Sequence, residues 1–126
     1  MKKQYFLKDK KARIYVKQAA TQDAEGYPIP GGWKPTSESD LWCYSKQLSQ
    51  ETVLVASQYG SDETRLFVFN PTTVKQYDLI LYRSTWYEVT RVDTTDDYNT
   101  DVFVYVKDCP TGSIPRQDKI LPYAAS

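Results

Sequence analysis

Residues 78–92 read as a β-hairpin, and that reading limits what the rest of the chain can do. Two runs rich in Tyr, Trp, Val, Ile and Leu, at 79–82 and 86–92, flank a polar joint of Arg83, Ser84 and Thr85. Aromatic and β-branched side chains of this kind fit a pleated, half-buried surface. The joint is short enough to set strand register, but it lacks the Asn-Gly or Asp-Gly pair that tight hairpin turns favour. In the second arm Tyr87, Val89 and Arg91 share one face, and Trp86, Glu88, Thr90 and Val92 the other. Keeping Tyr87 and Val89 inside would turn Arg91 inward. A bulge near Thr90 is therefore expected, resetting the phase and bringing Val92 in.

Other segments carry the same two-residue period and read as strands packed around this hairpin. In the first, Ala12, Ile14 and Val16 alternate with Arg13, Tyr15 and Lys17. Over 41–48, Leu41, Cys43 and Ser45 alternate with Trp42, Tyr44 and Lys46. Over 63–70, Leu66 and Val68 oppose Phe67 and Phe69; apolar residues on both faces mean that both are covered, with a neighbouring subunit one candidate cover. Over 102–107, Val102, Val104 and Val106 face in while Phe103 and Tyr105 face out. Residues 49–59 predict a short helix, with Ser49 as N-cap and Glu51 in the first turn, where an acid suits the helix dipole. The β-branched Thr52, Val53 and Val55 work against it. The expected fold is mainly β, a small barrel of about six antiparallel strands with one short helix.

Residues 19–39 break the alternation. With three prolines and three glycines, this stretch predicts a long loop between the first two strands. Tyr27, Ile29 and Trp33 are unusual in a purely solvated linker. They are candidate anchors for a partner or a channel, the alternative being that Trp33 folds back on the barrel wall. Residues 1–10 predict a loose, charged N-terminal segment, 11–109 the barrel domain, and 110–126, with three more prolines, a C-terminal tail.

The 126 residues suffice for one domain with a modest core. Acidic and basic residues balance at 16 each, which argues against gripping nucleic acid with the whole surface. A local basic end remains: Lys8, Lys10, Lys11, Arg13 and Lys17 could meet DNA or an acidic partner, or could simply be solvated. The chain has no His, the commonest general base and metal ligand. Asp93, Asp96, Asp97 and Asp101 lack the glycine of a calcium loop and read as a solvated acidic turn. Cys43 and Cys109 have no His to activate a thiolate and read as idle thiols. Gly31-Gly32 is not followed by the Lys-Ser/Thr of a phosphate loop. No catalytic constellation, cofactor or metal site is expected. No apolar run approaches a signal-peptide core or a bilayer span, so a soluble protein made in a cytoplasm, with no membrane role, is expected.

The order of elements and several short stretches resemble the phage head closure, or head–tail joining, family, also called stoppers or head–tail connector proteins. Ala12-Arg13-Ile14-Tyr15-Val16 matches the first strand and Glu25-Gly26-Tyr27 the long loop. Asp40-Leu41-Trp42-Cys43-Tyr44 matches the second strand, and Glu51 the start of the helix. Glu63-Thr64-Arg65-Leu66-Phe67-Val68 matches the third strand; Asp78-Leu79-Ile80-Leu81-Tyr82 and Trp86-Tyr87-Glu88-Val89 match the hairpin. The likeness spans roughly residues 12–108. The joint departs from it, with Arg83-Ser84-Thr85 where many relatives have a glycine. Zero net charge and polar strand edges offer no obvious large obligate interface, so the free chain is expected to be monomeric or only weakly associated. The resemblance implies a small barrel in the virion connector, assembled in the host cytoplasm into a homo-oligomeric ring, usually a dodecamer. It implies a portal–adaptor ring on the head side, a tail completion or terminator protein on the tail side, and packaged DNA in the channel. The rival reading is a small barrel that binds single-stranded nucleic acid, which needs exposed aromatics beside a basic groove.

Overall fold

The computed structural model describes residues 7–29, 31–48, 63–94 and 101–123. Among the described residues there are nine strands: β1 (Lys10–Gln18), β2 (Thr21–Gln22), β3 (Pro28–Ile29), β4 (Gly32–Pro35), β5 (Leu41–Gln47), β6 (Arg65–Phe69), β7 (Leu79–Tyr82), β8 (Thr85–Thr94) and β9 (Val102–Asp108). Six of them close an antiparallel barrel in the order β1-β5-β6-β9-β8-β7, with β7 returning to β1. The expected helix over 49–59 lies outside the described residues.

Closure works because β1 has partners on both edges. Arg13, Ile14 and Tyr15 pair with Leu81, Ile80 and Leu79 of β7. Along the other edge, Lys10–Ala12 pair with β5, and Tyr15–Gln18 with β4. Pro35 opposes Tyr15 whereas Leu41 opposes Ala12, so six steps of one chain run beside three of the other. The extra residues loop out around Ser37, whose hydroxyl donates to the Ser39 carbonyl at 2.6 Å. Residues 19–39 are therefore not the continuous loop that their prolines and glycines predict. β2 and β3 pair with each other, and β4 is a strand of the main sheet. Proline is tolerated there because β4 lies at the edge of the sheet order.

The central hairpin has the expected arms but a tighter joint. Tyr82 pairs with Thr85, so only Arg83 and Ser84 form the turn. Both have positive φ, 49° and 63°, the conformation of a type I′ turn made without glycine or asparagine. The Arg83 guanidinium lies 5.2 Å from the Tyr82 ring centroid. The bulge also falls where the phase argument puts it. Val89 opposes Val106 and Arg91 opposes Tyr105, leaving Thr90 as the extra residue. Val92 then packs against the core, and Arg91 is turned out. Glu63, buried to 4% exposure, receives Arg91 Nε at 2.7 Å and the Thr90 hydroxyl at 3.3 Å. Thr90 also lies 3.0 Å from the Tyr105 carbonyl, so the residue expelled from the ladder is held by side-chain bonds.

Inside the barrel, Phe67 contacts Phe69, Tyr82 and Tyr87, with ring centroids 6.1, 5.2 and 5.7 Å away. Ile14, Cys43, Ile80, Val89, Val104 and Val106 complete an apolar interior. Each large side chain contributes about 1.5–3 kcal/mol by burial. Arg65 shares the face of Phe67 and lies over the Tyr82 and Tyr87 rings, donating to Ser45 Oγ at 2.7 Å. Val68, on the opposite face, is also fully buried within the single chain. A neighbouring subunit is therefore not needed to cover it; it sits in register between Tyr44 and Phe103.

A second, smaller cluster lies apart from this interior: Tyr15, Leu79 and Cys109, with Trp33, Leu81, Trp86 and Ile120 against them. The segment after β9 joins it instead of trailing away as the expected tail. It makes two short 3₁₀ turns, Thr111–Ser113 and Gln117–Lys119, then reaches β4, where the Leu121 N–H donates to the Trp33 carbonyl at 2.8 Å.

A left-handed conformation costs a residue with a Cβ roughly 1–2 kcal/mol. Ser84→Gly, which keeps Arg83 over Tyr82, should therefore stabilise the chain by about 1 kcal/mol once the entropy of the added glycine is subtracted. Thermal unfolding followed by circular dichroism should show a melting temperature several degrees higher; an unchanged or lower value would mean that the turn is not strained.

Candidate interaction surfaces

The three anchors from 19–39 are separated by the fold. Tyr27 stands on the β2–β3 arm and is 68% exposed. The arm is closed at its tip by Asp23, whose Oδ1 accepts from the N–H groups of Glu25 at 3.0 Å and Tyr27 at 2.9 Å. Gly26, at φ 85°, supplies the left-handed residue of that tip. Residues 21–28 are all exposed, and Ile29 is half-buried. Trp33 belongs elsewhere: it sits on β4 and packs into the second cluster near Tyr15, Leu79 and Trp86. Its role as a free partner anchor is corrected to wall packing, because β1 extends past β5 and its outer face needs a cover. The Tyr15 and Trp86 rings meet at a tilt of 60°, with centroids 5.0 Å apart, in the same layer.

The basic end is largely neutralised by the chain itself. Lys8 Nζ lies 2.9 Å from Asp101 Oδ1, Lys10 Nζ 3.1 Å from Asp9 Oδ2, and Arg13 Nε 2.9 Å from Asp40 Oδ1. Asp101 thereby serves as an ion-pair partner; Asp96 and Asp97 lie outside the described residues, and Asp93 pairs with Arg91 at 3.0 Å. Lys11 is exposed and lies 4.6 Å from the ring centroid of Trp42, itself 53% exposed. Sequence reasoning missed this pair. Lys11 opposes Trp42 in the β1–β5 register, and register is a tertiary property. Among the described residues, no group of three or more Cys, Asp or Glu could hold a metal ion.

Lys17 lines an open groove of about 350 Å³ with Trp33, Tyr77, Asp78, Leu79 and Glu88. Tyr77 was also missed. It is 67% exposed and has φ 74° in a turn closed by the Asp78 N–H bond to the Lys75 carbonyl at 3.1 Å. Burial raises the Asp78 carboxyl above the usual carboxylate range, against the opposing pull of the Lys75 backbone N–H. The folded chain thus holds this proton more tightly than the unfolded chain. Its contribution to stability rises as pH falls through that raised value.

Cys43 is fully buried between Phe69 and Lys10 in register, and burial pushes its thiol up to about 12. Cys109, also buried and free, is raised for the same reason.

No family model matches the chain, and no curated protein matches it. Among solved structures it is similar to the solution structure of protein SF1141 from Shigella flexneri 2a. The TM-score is 0.61 at 11% identity, over 81% of this chain and 93% of that one. At that identity the likeness bears on the fold alone.

Two outcomes follow for these surfaces. Trp33→Ala should lower stability by about 2 kcal/mol, below the range for a fully buried Trp because Trp33 is half-exposed. Tyr27→Ala should leave thermal unfolding unchanged, and equal melting temperatures for the two variants would refute the separation. In thiol titration with Ellman's reagent at pH 8, Cys43 should stay unreacted in the folded chain and react at once in denaturant. Fast labelling without unfolding would show that the barrel opens locally at β5.

Proposed function

We propose that this chain is a head closure, or head–tail joining, protein of a tailed bacteriophage. In this reading it forms a ring, usually of twelve copies, beneath the portal–adaptor assembly. The ring helps to retain packaged DNA and offers a docking surface to the tail completion or terminator protein. The chain is monomeric when free, joins the virion connector during assembly in the host cytoplasm, and performs no catalytic step.

One observation carries the reading. A small closed barrel bears, between its first strand and β5, a two-stranded arm whose residues 21–28 are all exposed. An isolated two-stranded hairpin is marginally stable in water, so an arm of this kind gains most from a partner surface. Tyr27 at 68% exposure is its large apolar contact. Element order and the residues matched to the stopper pattern supply the rest. A separate observation favours the single-stranded nucleic acid reading: exposed Trp42 with Lys11 on its ring is a stacking platform beside a cation. Against it, Lys8, Lys10 and Arg13 are held in ion pairs with the chain's own carboxylates.

Disruption of this gene in a phage that carries it should yield lysates of unjoined heads and free tails by electron microscopy. Purified protein added to such a lysate should restore infectious particles. Normal tailed virions from the disrupted phage would sink the reading. A salt-sensitive gel shift with a single-stranded oligonucleotide, lost in Trp42→Ala, would establish its rival.

A further inference from the structure

The outer edge of β4 is occupied, and what occupies it is lightly held. Trp33 and Ile120 form an isolated parallel bridge, and Leu121 donates one backbone hydrogen bond to Trp33. The segment is otherwise loosely attached. Residues 110–114 and 116–119 are exposed and Pro115 is half-buried, and neither 3₁₀ turn buries a residue. Yet the acceptor edge is shaped for its occupant. A Cβ on Gly32 would lie 2.3 Å from the Lys119 carbonyl oxygen and 3.3 Å from Leu121 Cγ. Gly31 is tied to the other side, where a Cβ would meet the Ala20 nitrogen at 2.8 Å. The Gly-Gly pair thus allows two backbones to approach β4, one from the β1 side and one from the C-terminal segment. Ile120 fills the second cluster beside Trp33.

We propose that the outer edge of β4 is an exchangeable strand-acceptor site, and that its second occupant is residues 119–121 of another copy of this chain. Exchange between identical copies needs no new contact, because the same bridge, hydrogen bond and apolar seat are remade in trans. Tethering decides which mode prevails. A short flexible linker presents its own strand at roughly millimolar effective concentration. In dilute solution the chain therefore caps itself and stays monomeric, whereas copies held side by side at similar local concentration can trade strands. A strand edge left open would otherwise template association with other chains, which gives the self-capped form its use. The inference does not rest on the head–tail reading.

The test uses full-length chains. Ile120→Asp with Leu121→Asp weakens the chain's own strand and vacates the edge. A synthetic peptide of residues 114–123 is then titrated into this variant and followed by the amide and indole signals of Trp33 in NMR. The peptide should bind saturably at about 0.1 millimolar or tighter, with at least tenfold weaker binding to the wild-type chain, where the tethered segment competes at its roughly millimolar effective concentration. Adding Gly32→Ala to the vacated variant should abolish binding while the barrel signals stay in place. In a second measurement, the vacated variant is mixed near millimolar concentration with Gly32→Val, which keeps its strand but has a blocked edge. The mixture should diffuse as a dimer while each variant alone diffuses as a monomer. No saturable shift of Trp33, an equal shift with Gly32→Ala, or monomeric diffusion of the mixture would overturn the proposal. If Gly32→Val does not fold by circular dichroism, the peptide titration alone decides.

Discussion

Closure of the sheet through β1 is the constraint on which the rest of the molecule depends. An antiparallel sheet of six strands has two open edges, and only a barrel removes both. Here one strand does that work. The middle of β1 pairs with β7, while its two ends pair in turn with β5 and β4 along the other edge. Since β1 is longer than its overlap with β5, its C-terminal half would carry unmatched backbone groups without β4. The chain meets this need by looping residues out between Pro35 and Leu41 and using the freed length as a short extra strand.

The consequences reach outward from there. β4 carries Trp33 over the outer face of β1 and β7, where Tyr15, Leu79 and Trp86 require cover. The C-terminal segment completes that layer and caps the edge that β4 itself creates. A small barrel with a single interior thus acquires a second apolar layer from sequence that reads as linker and tail. On the opposite side of the hairpin, the bulge at Thr90 lets β8 keep Val89 and Val92 inward while sending Arg91 to the buried carboxylate of Glu63. A buried carboxylate without a partner would be strongly destabilising, so the bulge and the ion pair support each other.

Charge is arranged in the same local manner. The chain is neutral overall. The lysines and arginine that crowd the start of β1 find carboxylates from Asp9, Asp40 and Asp101. A basic stretch in one dimension becomes a set of short ion pairs in three, with Lys11 and its aromatic neighbour Trp42 left as the exposed combination. Among the described residues, the exposed surfaces include the β2–β3 arm, the Lys11–Trp42 pair and the groove beside Tyr77.

Patterns carried by near neighbours were legible in the sequence. Alternation identified the strands at 10–18, 41–47, 65–69, 79–82 and 102–108 and the inward Val102, Val104 and Val106, because a two-residue period is a property of the strand itself; in the first strand Tyr15, read on the face of Arg13 and Lys17, is buried in the second cluster. The phase conflict between Val89 and Val92 identified the bulge for the same reason. Three features escaped. Prolines and glycines at 28–35 signal a loop locally, yet β4 forms there because the exposed edge of β1 needed a partner. The joint at Arg83 and Ser84 takes a glycine-type turn because the twist of the closed barrel demands it. Lys11 meets Trp42, and Lys8 meets Asp101, through register and closure, which link residues distant along the chain. The sequence by itself determined that the alternating segments would be strands. Only the tertiary structure decided which edges met, because pairing is set by competition among all the unpaired backbone groups of the closed sheet.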